Sequence, residues 1–165
     1  MTDTPPLLDD EHAAFIASGG ISVNAVSAGS EGFGNFSRCV GCRVGPARDR
    51  ITLLLAATPA ADFLSDIAHN GRIAAVFSKP STHRTLQLKG TDAQREALAP
   101  DDLALVRRFC TSFAAELVTI GVSAPAALAL LDAPDHDLVA VSFTPCAAFQ
   151  QTPGPEAGQP LRAHP

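Results

Sequence analysis

The sequence predicts a mainly β domain, a six-stranded antiparallel β-barrel with α-helices. Three observations carry that prediction. Six stretches have the apolar content or alternation of strands. Most follow one another through tight turns, which favours antiparallel pairing. Only one long stretch, residues 101–121, repeats its apolar residues at helical spacing.

In chain order, Asp9 is placed to cap a short helix ending near Ser18, before Gly19 and Gly20. Residues 21–27 alternate like a half-buried strand, and residues 29–34 are a glycine-rich turn. Residues 35–44 read as one strand and 50–56 as an apolar one. Thr58 and Pro59 look like an N-cap and first helical position, opening a helix that Asn70 and Gly71 stop. Strands over 72–78 and 82–91 flank a turn at Pro80. Beyond the long helix, Ser123 can cap a short one to Leu131, and 136–144 form the last strand. Residues 1–8 are expected to be a flexible N-terminus, 9–151 the domain, and 152–165 a tail whose Pro and Gly content precludes a regular element.

Composition excludes several function classes. The net charge is −5, which disfavours a nucleic-acid backbone as partner. The chain has no Trp and no Tyr, so stacking platforms for bases are scarce. The acidic N-terminus is unlike a signal peptide, and Glu116, Ser123, Pro125 and Asp132 interrupt the most apolar region, so no membrane span is expected. The expected address is the cytoplasm, with four reduced cysteines. Cys39 and Cys42 form a C-x-x-C without a second pair, and on a strand they read as core. His12 and His69 lie near helix ends, and His136 and His164 are isolated, so no metal site is expected. No P-loop and no strand-to-helix G-x-G-x-x-G appears.

Two strands carry the polar residues of interest. On 82–91, strict alternation aligns His83, Thr85, Gln87 and Lys89 on one face, with Leu86 and Leu88 on the other. That row is either a solvated outer face or the lining of a polar ligand site. On 35–44, Arg38 shares a face with Phe36, Val40 and Val44. An arginine among apolar neighbours needs an anion, either a structural carboxylate or a ligand phosphate.

This order of elements, with Arg38 and Arg43 on one strand and Arg84, Thr85 and Gln87 before Gly90, resembles the pyridoxamine 5'-phosphate oxidase-like FMN-binding split-barrel family. The resemblance spans roughly residues 9–150. It implies a six-stranded split barrel, a homodimer, and FMN held at the interface. It also implies an oxidoreductase whose substrate and catalytic residues stay open. The cofactor-binding positions it implies are Ser37, Arg38, Cys39 and Arg43 on one strand and His83, Arg84, Thr85 and Gln87 on the other. Arg43 stands where the oxidase has Lys, and Thr85 where it has Gln. The oxidase's phosphate-binding Ser-Arg-Lys element is matched by Ala61, Asp62 and Phe63, so the cation must come from Arg38, Arg43, His83 or Arg84. Two alternatives accompany this reading. One is a haem-binding or haem-handling split barrel with His164 as ligand, the other a non-catalytic dimeric binding protein.

Overall fold

The computed structural model describes residues 7–161. Its elements are α1 (Asp10–Ile16), β1 (Ser22–Ser27), β2 (Phe36–Cys39), β3 (Gly41–Val44), β4 (Ile51–Ala56), α2 (Ala61–Asn70), β5 (Ile73–Ser78), β6 (Thr85–Gly90), β7 (Gln94–Glu96), α3 (Asp102–Thr119), α4 (Ala124–Ala129), β8 (Leu138–Phe143) and β9 (Ala147–Gln150). The strands form two antiparallel sheets, one of five strands in the order β2-β1-β5-β6-β9 and one of four in the order β3-β4-β8-β7. The mainly β, antiparallel expectation holds, with nine strands among the described residues where the sequence suggested six.

The largest difference is the stretch expected to be one strand over 35–44. The chain breaks at Val40 and passes from the five-stranded sheet to the four-stranded one, so β2 pairs with β1 and β3 with β4. Gly41 makes that crossing possible. A Cβ there would lie 2.9 Å from Leu105 Cδ2 and 3.2 Å from Leu54 Cδ1, so a larger residue would push apart the helix and strand that meet at this point.

The two sheets enclose the core between them. Val23 and Ala25 of β1, Phe77 of β5, and Leu86 and Leu88 of β6 point inward and are fully or almost fully buried. Strands β4 and β8 are buried along their whole length, so they read as continuous apolar runs rather than alternating ones. On α3 the apolar residues Val106, Phe109, Phe113 and Leu117 are buried at helical spacing, and the helix packs on β3 and α4.

Caps account for the start of α1 and the end of α2. The Asp9 carboxylate accepts from the His12 backbone N–H at 2.8 Å, and Gly71 closes α2 in the left-handed conformation, φ 65°. Thr58 is not the cap of α2, which starts three residues later at Ala61. Its backbone N–H and hydroxyl instead donate to the Asp137 carboxylate, tying the end of β4 to the turn before β8. The expected strand over 82–91 begins only at Thr85, because residues 80–82 turn and His83 takes φ 58°. Leu8 is fully buried, so the packed domain begins before Asp9. After β9 the tail turns through 152–158 and comes back, and Pro160 bridges Phe149 while the Leu161 N–H donates to the Ala148 carbonyl.

Candidate functional site

Sheet register decides which polar residues meet. Paired positions in adjacent antiparallel strands point to the same side. On the outer side of the five-stranded sheet, Arg38 stands opposite Asn24, Asn24 opposite Val76, Val76 opposite Gln87, and Gln87 opposite Phe149. The next row runs Phe36, Val26, Ala74, Lys89, Ala147. Arg38 and Gln87 thus share a face, but three strand spacings, about 14 Å, separate them. No single phosphate can touch both.

The face is more apolar than a solvated sheet surface. Phe36 is 58% exposed and Val26 40%, with Val76, Ala74 and Phe149 half-buried beside them. Phe36 and Arg38 point outward and away from the core, because the break at Val40 ends the strand on which they were expected to align with Val40 and Val44. Ser37 and Cys39 occupy the buried side of β2.

The expected cations separate by what they already hold. Arg84 donates to Glu11 at 2.8 Å and lies 4.5 Å above the Phe15 ring, fastening α1 to the turn before β6. Arg43 donates through Nε to Asp102 at 3.0 Å; the same buried carboxylate accepts from the Ala99 N–H at 2.7 Å. His83 lies in the turn, off the row of Thr85 and Gln87. Arg38 makes no ion pair among the described residues, so it alone of the expected arginines is unneutralised.

Arg38 opens onto a cleft of about 280 Å³ between β2, Pro59 and the segment after α4 that carries Leu130 and Asp132. In the same row, the Asn24 side chain donates to Ser22 Oγ at 3.1 Å, yet its buried Oδ1 has no hydrogen-bond partner among the described residues. A buried acceptor without a donor is uncommon and marks a place for one. Periodicity put Asn24 on an ordinary alternating strand, so only the pairing with Arg38 reveals it. Leu130 and Asp132 reach the cleft through tertiary packing, which no local pattern announces.

The remaining expected residues have settled partners. The Thr85 hydroxyl is 2.8 Å from Ser78 Oγ and donates to the His83 carbonyl at 3.0 Å. Gln151 Nε2 approaches Gln87 Oε1 at 3.5 Å. Cys39 and Cys42 are buried, and the Cys42 thiol also donates to the Ile16 carbonyl at 3.3 Å. Burial, reinforced by Cys42, pushes the Cys39 thiol far up, and burial alone pushes Cys42 up to about 12. Cys39 therefore belongs to the core and cannot meet a ligand on the outer face. Among the described residues no group of three His, Cys, Asp or Glu could hold a metal, and no helix is long and apolar enough to cross a membrane. His164 lies outside the described residues.

Two antiparallel sheets joined by strands that cross between them, with helices at the margin, define a split barrel. The fold is that of the pyridoxamine 5'-phosphate oxidase-like proteins. HupZ of Group A Streptococcus superposes with a TM-score of 0.53 at 12% identity, over 92% of this chain and 99% of that one. An F420 reductase gives 0.52 at 14% identity, over 85% and 98%. A candidate pyridoxamine 5'-phosphate oxidase from Lactobacillus delbrueckii gives 0.51 at 13% identity, over 90% and 97%. No sequence-family model matches the chain, and no curated protein matches it significantly.

Proposed function

We propose that the chain is a homodimeric FMN-binding protein that serves as an oxidoreductase, with the cofactor on the outer side of the five-stranded sheet. The observation that carries this reading is Arg38, a half-buried cation with no ion pair among the described residues, next to the partnerless Asn24 Oδ1. A flavin suits both, since its phosphate is an anion and the ribityl hydroxyls next to that phosphate are donors for the neighbouring Asn24 Oδ1. Two split-barrel neighbours, an F420 reductase and a candidate pyridoxamine 5'-phosphate oxidase, are redox enzymes by name.

When bound, FMN supplies the redox chemistry. The chain's residues bind and orient. Arg38 holds the phosphate by charge-assisted hydrogen bonds. Asn24 and Gln87 offer amide groups on the same face, while Arg43 and Arg84, already paired, keep β3 and α1 in place. A second copy covers Phe36 and Val26 by two-fold symmetry and shuts water from the cleft. Asp62 and Asp132 are both exposed carboxylates, and they favour the competing reading of a dimer without a flavin.

Titration of the protein with FMN, followed by quenching of flavin fluorescence, decides between them. The unmutated chain is expected to bind. Arg38→Ala loses roughly 1.5–3 kcal/mol, the worth of a hydrogen bond to a charged group, or about 10- to 150-fold in affinity. Arg38→Lys recovers part of the loss, because the charge stays and the planar fork goes. Undetectable binding by the unmutated chain rejects the flavin. Unchanged binding by Arg38→Ala rejects the anchor.

A further inference from the structure

A second cleft, of about 420 Å³ and lined by no residue of the five-stranded sheet, lies between the end of α1, strand β3 and helix α3. Its floor is apolar, formed by Ile16, Val44, Leu105 and Phe109. Its ionised side chains are both guanidinium groups, Arg43 and Arg108, and no carboxylate lines it. Arg43 is 38% exposed and uses only Nε on Asp102, so its terminal nitrogens make no hydrogen bond among the described residues. Arg108 is exposed and makes no ion pair among them, whereas its neighbour Arg107 is held by Asp135 at 2.9 Å.

From this arrangement we propose that the α1–β3–α3 cleft binds a small amphipathic monoanion, a carboxylate on an alkyl chain. Asp102 neutralises Arg43, which leaves one uncompensated positive charge on Arg108. A monocarboxylate balances that charge. A phosphate dianion would bring one negative charge too many. The planar forks of the two arginines match a carboxylate's pair of oxygens. The apolar floor takes the chain, and each methylene removed from water adds to affinity. The volume falls in the ordinary range of small-ligand pockets. At its rim the Gly19 backbone approaches α3 so closely that a Cβ there would come within 3.1 Å of Ser112 Cβ. The site is independent of the flavin reading and uses none of the residues on the five-stranded sheet.

The test is an NMR titration of the full chain with sodium octanoate, with acetate and 1-octanol as controls. Octanoate is expected to bind with one site and to shift the amides of Ser18, Gly19 and Val44. Acetate, lacking the chain, and octanol, lacking the charge, are each expected to bind at least tenfold more weakly. Arg108→Ala removes an exposed side chain without an ion pair and leaves the fold intact, so a tenfold loss of octanoate affinity is readable against an unchanged thermal midpoint. Added salt should weaken octanoate binding and leave octanol unaffected. Equal affinity for octanol, unchanged octanoate binding in Arg108→Ala, no binding at millimolar octanoate, or shifts clustered on the five-stranded sheet would each overturn the proposal.

Discussion

Burial and partnership, more than residue type, separate the side chains that could meet a ligand from those that hold the fold. Cys39 and Cys42 illustrate it. A C-x-x-C is reactive when a helix N-terminus or a cation lowers a thiol's pKa. Here both thiols are buried and burial raises them, which outweighs the smaller opposing effect of Arg38 on Cys39. A thiol reagent is thus expected to label exposed Cys146 in the native protein and to reach Cys39 and Cys42 only as the protein unfolds in urea. Mass spectrometry of the labelled peptides checks this, and rapid native labelling of Cys42 would show that β3 opens locally. Arg84 and Thr85 teach the same lesson. The sequence puts Thr85 on the polar face of its strand and the resemblance implies a cofactor contact for both, but Glu11, Phe15, Ser78 and the His83 carbonyl already use them. Spacing along one strand cannot reveal partners that come from residues 11, 15 and 78.

At the scale of elements, the short strand β7 is held by charge. Arg50, just before β4, donates to Glu96 of β7 at 3.1 Å and to Ser142 of β8 at 2.7 Å, and the buried Ser142 hydroxyl closes a very short hydrogen bond to Glu96. The Ser142 hydroxyl, with help from Arg50, holds the Glu96 carboxyl below the usual carboxylate range. A carboxyl whose folded-state pKa is depressed stabilises the fold fully above its unfolded value, about 4.3 for Glu, and that contribution fades as pH falls through the lower folded value. The melting temperature should therefore decline below about pH 4.3. Glu96→Gln should lower it at neutral pH and make it less sensitive to acid. Scanning calorimetry between neutral and acidic pH checks both, and an unaltered acid slope in Glu96→Gln would reject this role. Strand β7 also shows why part of the fold was illegible. Its residues Gln94, Arg95 and Glu96 are all polar, and pairing with β8 alone makes them a strand. Strand β9 begins just after Cys146 and is only four residues long. The break at Val40 was hidden by buried residues on both sides, and Gly41 within the run was its one signal. Where apolar periodicity continued for several residues, as in β1, β4, β5 and α3, the elements were legible to within a residue or two.

For the whole molecule, the outer side of the five-stranded sheet is the surface that most needs an explanation. Phe36 and Val26 lie there side by side, next to half-buried Val76 and Ala74, and Arg38 and Asn24 Oδ1, both without a partner among the described residues, share the face. The proposed two-fold dimer covers it. Phe36→Asp places a charge in that contact and should convert a dimer to a monomer of about 17.1 kDa in light scattering, without lowering the unfolding cooperativity of each chain. A monomer mass for the unmutated protein at micromolar concentration would reject the dimer. The same surface shows how far the sequence could reach toward the site. Arg38 was legible as a cation in need of an anion, because its neighbours are apolar. Its position beside Asn24 and far from Gln87 depends on sheet order, and strand patterns alone do not encode that.

The returning tail bears on the protein's behaviour in solution. Strand β9 ends its sheet, and an uncovered edge offers free amides and carbonyls that can template a strand from another molecule. Here Gly158 and Gln159 exchange backbone hydrogen bonds with Gln150, and Leu161 reaches Ala148, so the edge is already occupied by the chain itself. Proline at 160 then offers no N–H with which to extend the ladder outward. The Pro- and Gly-rich segment, for which the sequence predicts no regular element, thus covers this β-edge, and a chain cut short before Gly158 is expected to expose it and to aggregate more readily.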